Sequence, residues 1–150
     1  MKILLASSSE RRRRLLRRIV RKFSVKEARI NERMLPGESF SSAAVRLAEL
    51  KARKVASREK DAVVIGADTI AYRGKRIYRK TGSKKSARRI LAELSGKTHY
   101  AVTGVAVLFP DGRMEKYAVK KPVFGVITSK DVEESEKQRK AAIEIANIRL

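Results

Sequence analysis

Two short apolar runs, Ile3-Leu4-Leu5 and Val63-Val64-Ile65, most constrain what this chain can fold into. Neither alternates apolar with polar residues, so each reads as a strand covered on both faces, as in a sheet flanked by helices. The first run opens into Ser7-Ser8-Ser9-Glu10-Arg11-Arg12 and the second into Gly66-Ala67-Asp68-Thr69. A serine-rich turn before an arginine-rich helix offers hydroxyls, backbone N–H groups and guanidinium forks to phosphate oxygens. The second segment sets one carboxylate at a strand's carboxyl end. Together they point to polyphosphate binding and hydrolysis.

The periodicity places a strand over 2–6 and a helix over 10–22, with Leu15, Leu16, Ile19 and Val20 on one face and Arg11, Arg14, Arg18 and Arg21 on another. Residues 23–39 contain Pro36-Gly37 and several charges and read as a strand-to-loop connection, a candidate active-site flap. Ser41 or Ser42 caps a helix running to 56, with Val45, Ala48, Ala52, Val55 and Ala56 as its apolar stripe and Lys51, Arg53 and Lys54 on its surface. A strand over 62–67 then leaves Asp68 where it emerges, and 69–72 and 76–78 form a hairpin around Arg73-Gly74-Lys75. Ser83 caps a helix to 94 with Ala87, Ile90, Leu91 and Leu94 inward, stopped by Ser95-Gly96. Strands over 100–109 and 115–119 flank the turn Pro110-Asp111-Gly112-Arg113, and a strand over 123–128 precedes a charged helix from 129.

A chain of 150 residues with 43% apolar content is expected to form one domain. No run approaches the roughly 20 apolar residues of a membrane span, and the apolar start gives way at once to Ser and Arg, so a soluble cytoplasmic protein is expected. Cysteine is absent and His99 is the one histidine, which excludes disulfides, thiolate zinc sites and cysteine nucleophiles and leaves oxygen as the metal-binding atom. Few Asn and Gln with many Lys, Arg and Glu fit a protein that works hot. The net charge of +21 attracts nucleotides and nucleic acids alike, and its even spread fits a solvated surface as well as a nucleic-acid interface.

Several alternatives are weaker. Gly96-Lys97-Thr98 lacks the glycine that a Walker loop needs at position 91, which is Leu91, and it follows a helix. His99 is expected to make a structural hydrogen bond, and scattered aromatics argue against a base-stacking platform.

Four segments occur in order: Leu4-Leu5-Ala6-Ser7-Ser8-Ser9-Glu10-Arg11-Arg12-Arg13-Arg14-Leu15-Leu16, Arg46-Leu47-Ala48-Glu49-Leu50-Lys51-Ala52, Val64-Ile65-Gly66-Ala67-Asp68-Thr69 and Leu94-Ser95-Gly96-Lys97-Thr98-His99. This order resembles the Maf family of nucleoside triphosphate pyrophosphatases, over roughly residues 3–128. The resemblance implies an α/β fold with an elongated mixed sheet flanked by helices and a two-lobed, Maf/ITPase-like cleft. It implies hydrolysis of a nucleoside triphosphate, dTTP or UTP, to the monophosphate and pyrophosphate with a divalent cation, Mg²⁺ or Mn²⁺. By the same resemblance Asp68 is the general base, Glu32 and Asp68 hold metal, and Ser7, Ser9, Arg11, Arg12, Lys51 and Lys80 bind phosphate. Arg11 and Thr69 set specificity, and a homodimer is expected.

The chain departs from the family pattern at three places. Glu10 stands where proline is usual, Arg79-Lys80-Thr81 replaces Gly-Lys-Pro, and Arg139-Lys140-Ala141-Ala142 lacks the glycine- and glutamine-bearing segment of the second lobe. The expectation is a single Maf-like domain over 1–150 whose base selectivity suffers more than its phosphate affinity. A catalytically weak protein that binds nucleotide or nucleic acid through its basic surface is the competing expectation.

Overall fold

The two apolar runs become neighbouring parallel strands. In a computed structural model, which describes residues 1–78 and 83–125, β1 (Lys2–Ala6) pairs with β3 (Ala62–Arg73) from Lys2↔Ala62 to Ala6↔Gly66. On the other side of β1 lies β2 (Ser24–Val25), also parallel, with Leu4 opposite Ser24. With β5 (His99–Leu108) and β6 (Met114–Val123) the sheet runs in the order β2-β1-β3-β5-β6, and β4 (Arg76–Tyr78) pairs antiparallel with β3. Among the described residues the helices are α1 (Glu10–Arg17), α2 (Phe40–Ala56) and α3 (Lys84–Leu94), which makes the architecture α/β. The chain leaves β1 for β2 on one side and returns to β3 on the other. Strand order therefore reverses at β1 and β3, where open α/β sheets leave a crevice beyond the strands' carboxyl ends.

Four elements differ from the sequence expectation, one of them β6, which runs unbroken to Val123 in place of a strand over 115–119 and another from 123. Helix α1 stops at Arg17 rather than residue 22, its exit closed by the Ile19 and Val20 N–H groups donating to the Leu16 carbonyl at 2.9 and 2.8 Å, where two β-branched residues disfavour a further turn. None of its residues is buried, and Leu15 and Ile19 are 47% and 83% exposed. Helix α2 begins earlier than expected because Ser39 is its cap, with the Ser42 N–H donating to the Ser39 hydroxyl at 3.1 Å. Strand β3 does not end at Ala67 but continues to Arg73, so Asp68 lies within a strand. What ends near Asp68 is the pairing with β1, whose last step is Ala6↔Gly66. Lys80, the helix expected from 129 and Arg139 through Ala142 lie outside the described residues.

The chain divides into two units, one of residues 1–69 and 103–119, the other of residues 70–102 and 120–150. The first is built on Leu4, Ala6, Val64, Ala106 and Leu108 of the sheet packed with Ala48, Ala52 and Val55 of α2. In the second, Tyr78 of β4 packs with Ala71 and Leu94, and Arg76 pairs with Glu93 at 2.9 Å. Tyr72 and Tyr100, distant in sequence, stack there at 5.7 Å between ring centroids, with the Lys120 ammonium 4.6 Å from the Tyr100 ring. The aromatics are thus less scattered than their sequence positions imply. His99 begins β5 as expected but is buried with neither ring nitrogen hydrogen-bonded, and burial pushes it toward the neutral form. The expected structural hydrogen bond is not made.

Helix α2 sits unusually close to the sheet. A Cβ on Gly66 would lie 2.0 Å from the Ala48 carbonyl oxygen, and one on Gly104 would lie 2.3 Å from the Ala44 carbonyl carbon. The helix face there is Ala43, Ala44, Leu47, Ala48, Lys51 and Ala52, small enough for backbone to approach backbone. Gly66→Ala is expected to lose about 3 kcal/mol of stability through overpacking, read as a lower midpoint in urea unfolding. A midpoint equal to wild type would mean that α2 can move away freely.

Candidate active site

Strand alternation sorts the Gly66-Ala67-Asp68-Thr69 segment onto two faces. Gly66 and Asp68 point to α2, whereas Thr69 points to the opposite face, where Arg12 arrives. Each face therefore receives its own chemistry.

On the Arg12 face, the turn after β1 organises itself around Ser7. Its hydroxyl oxygen accepts from the Ser9 N–H at 3.1 Å and from Arg12 Nη1 at 3.3 Å. Two accepted bonds occupy both lone pairs, so what buried Ser7 still offers is its own O–H hydrogen, a donor suited to an anion. Ser9 caps α1, accepting from the Arg12 N–H at 3.4 Å. Arg12 also donates to the Ala67 carbonyl at 3.0 Å and to the Thr69 hydroxyl at 3.2 Å. The three acceptors are neutral, so they fix the guanidinium without cancelling its charge. Burial lowers the Arg12 pKa, with Asp68 and Glu32 acting in the opposite direction. Arg11, half-buried on the same turn, makes no hydrogen bond or ion pair among the described residues.

On the α2 face, the Lys51 ammonium lies 2.8 Å from Asp68 Oδ1 and 2.8 Å from Glu32 Oε1. Both Lys51 and Asp68 are buried, while the Glu32 side chain is half exposed. Burial raises the Asp68 pKa above the ordinary carboxylate range; Lys51 opposes this and Glu32 adds to it. Two carboxylates thus converge on one point charge, an arrangement suited to activating water or sharing a divalent cation.

Glu32 comes from the connection between β2 and α2, which the sequence marks as a flap. It is tied down by α2 on both sides of Glu32. Arg46 donates to the Glu38 carboxylate at 2.6 and 3.0 Å and to the Arg33 carbonyl at 2.9 Å, and Lys54 donates to the Arg29 carbonyl. Along α2, Lys54 stands three residues from Lys51 and eight from Arg46, spacings that bring it to the same side of the helix as each.

Seven of the residues singled out in the sequence, Ser7, Ser9, Arg12, Glu32, Lys51, Asp68 and Thr69, therefore meet in two connected clusters within one unit. Lys80 lies outside the described residues. Two contributors had no sequence-level role: Arg46, which anchors the Glu32 segment, and Thr103, whose hydroxyl lies 3.0 Å from that of Thr69. Arg46 could have been found from its spacing of eight residues to Lys54, two turns along the same side of α2. For Thr103 the signal is adjacency to Gly104, the residue that seats α2, which turns Thr103 to the other face.

The Maf-like protein family pattern matches residues 2–144. The chain belongs to the Maf-like protein family. It is 36% identical over 132 residues to a dTTP/UTP pyrophosphatase of Aquifex aeolicus, covering 88% of this chain and 69% of the relative. It is 46% identical over 110 residues to a dTTP/UTP pyrophosphatase of Moorella thermoacetica, covering 71% of this chain and 55% of the relative. A nucleoside triphosphate pyrophosphatase of Anaplasma marginale is 41% identical over 118 residues, 78% of this chain and 60% of its own. The solved structure of the Staphylococcus aureus Ham1 protein shares the fold, with a TM-score of 0.55 at 15% identity over 82% of this chain and 71% of that one. Among the described residues of the Maf-like chain, no helix is long and apolar enough to cross a membrane.

The Lys51 pair gives a pH signature. A carboxylate whose folded pKa is raised stabilises the fold fully below its unfolded pKa and loses that contribution as pH rises through the folded value. Lys51→Met removes the main influence opposing the rise at Asp68, so it is expected to destabilise the Maf-like fold by about 3 kcal/mol near pH 8 and by much less near pH 5. Urea unfolding at the two pH values measures this, and a pH-independent loss would contradict it.

Proposed function

We propose that this Maf-like protein hydrolyses nucleoside triphosphates, with dTTP and UTP preferred, to the monophosphate and pyrophosphate. The observation that carries the reading is a buried carboxylate, Asp68, held beside Lys51 on one face of β3 while the residue after it, Thr69, fixes an arginine on the other. The names of its relatives, dTTP/UTP pyrophosphatases at 36% and 46% identity, support the same reaction and base class.

In this reading the phosphate chain takes its donors from the first turn of α1. Ser7 supplies the hydroxyl hydrogen its two accepted bonds leave over, and the Glu10 and Arg11 amides add the N–H groups that a helix start leaves without intrahelical partners. Arg12 and Arg11 supply positive charge, the first immobilised by its neutral acceptors and the second uncommitted. Asp68 takes the proton from the attacking water. Its burial raises its basicity above that of an exposed carboxylate, while Lys51 opposes the rise. Lys80 belongs to the same proposed phosphate set.

The donor set fits a divalent cation. No group of three or more His, Cys, Asp or Glu residues suited to a metal occurs among the described residues, but Mg²⁺ is commonly held by one or two carboxylates with phosphate oxygens completing its shell. Asp68 and Glu32, already converging on the Lys51 ammonium, are the residues that would hold it. Bound there, such an ion supplies positive charge to the phosphate oxygens.

Incubation with Mg²⁺ and dTTP, UTP, CTP or GTP, followed by chromatography, tests the reading directly. Monophosphate and pyrophosphate are expected, and Asp68→Asn should lower kcat by about 10²- to 10⁴-fold. Because burial already disfavours the Asp68 charge and Lys51 retains Glu32, that variant should keep its fold. The rate of the wild-type protein should rise with pH through an apparent pKa above the ordinary carboxylate range. Inorganic phosphate as the product, or an Asp68→Asn variant as fast as wild type, would refute the proposal.

A further inference from the structure

We infer that Thr103 is a positioning residue for the phosphate site, acting through Thr69 on Arg12; this rests on the proposed function of that site. The three groups form a chain: Thr103 Oγ1 lies 3.0 Å from Thr69 Oγ1, which lies 3.2 Å from Arg12 Nη2. The chain has a direction. A guanidinium only donates, so Thr69 must present a lone pair to Arg12 and send its own hydrogen elsewhere. In the proposal Thr69 gives that hydrogen to Thr103 Oγ1, of the two directions open to the 3.0 Å pair the one that leaves the Thr69 lone pairs to Arg12. Donation from Thr69 to Thr103 turns the hydroxyl hydrogen away from the cation and the lone pair toward it. Without that acceptor the hydroxyl can rotate its positive end toward Arg12, and one of the three bonds that immobilise the guanidinium weakens.

The same accounting alters the role expected of Thr69. Its hydroxyl is already engaged with Arg12 and Thr103, so its contribution to selectivity runs through the placement of Arg12 rather than through a free hydroxyl reading a base edge. Both threonines are part-buried, which limits the water that could replace either bond. Neighbouring Gly104 seats α2 on the opposite face, so Thr103 is fixed in register by the contact that also places Lys51.

The test is the affinity for inorganic tripolyphosphate, measured by calorimetry without Mg²⁺ so that binding is read apart from turnover. Thr103→Val, nearly isosteric, is expected to weaken binding about fivefold, as loss of one supporting hydrogen bond would. Thr103→Ser should restore wild-type affinity, and Thr103→Val should cost nothing further on an Arg12→Lys background. Thermal unfolding of each variant verifies that the fold is retained. A Thr103→Val affinity equal to wild type, a fivefold loss that persists without Arg12, or a Thr103→Ser variant as weak as the valine would each overturn the inference. So would a wild-type protein that binds no tripolyphosphate. Failure of the hydrolase reading is separate: it would appear as tripolyphosphate binding without turnover of any nucleoside triphosphate, and the affinity series would still decide the role of Thr103.

Discussion

The contact between the α2 backbone and two glycines of the sheet is the constraint on which the site depends. With hydrogens at positions 66 and 104, the helix settles at a distance that any side chain would forbid. Lys51 lies one helical turn beyond Ala48, and Asp68 two residues beyond Gly66 on the same strand face. The two periodicities meet at the 2.8 Å contact between ammonium and carboxylate. A wider spacing would leave the lysine unable to reach, and a buried Asp68 without that partner would be pushed further toward its protonated form. Packing, in this molecule, sets the protonation of the group proposed to activate water.

Strand β3 then acts as a partition between two kinds of chemistry. Asp68 stands with Lys51 and Glu32 on the α2 face, while Thr69, one residue on, stands with Arg12 and Thr103 on the other. An acid on one residue of a strand and an arginine held by the next are kept from direct contact, because those two side chains leave opposite faces. The backbone joins the two sides: the Ala67 carbonyl, immediately before Asp68, accepts from Arg12 at 3.0 Å. Arg12 is thereby located relative to Asp68 without being paired to it, and its charge remains available.

Much of this was legible in the sequence, for physical reasons. Continuous apolar runs identified β1 and β3, and serine caps located the starts of α1 and α3, because these signals are local. The clustering of Ser7, Ser9, Arg12, Lys51 and Asp68 followed from motif order. Features that depend on partners distant in sequence were not legible. The hairpin of β3 with β4 was legible, whereas the union of 62–67 and 69–72 into one strand was not, and the role of Thr103 depends on which side of β5 the helix contacts. The stripe of Leu15, Leu16, Ile19 and Val20 is not formed, because α1 ends at Arg17; amphipathicity indicates only that a face can be buried, and none of α1 is. Glycines 66 and 104 carry positional meaning that composition cannot convey, since neither has a backbone conformation that requires glycine; what they accommodate is another chain segment.

Charge balance gives the two faces a common purpose. The overall +21 attracts polyanions of every kind and discriminates poorly among them. Within the site the balance is local and different: on the α2 face two carboxylates share one ammonium, a surplus of negative charge, while Arg12 on the other face is matched only by neutral acceptors. A polyphosphate drawn to the arginine side would meet repulsion from the carboxylate side. A divalent cation shared between Asp68 and Glu32 would reverse that repulsion and couple phosphate binding to the proposed base. With a cation held there as proposed, anion and cation would favour each other's binding.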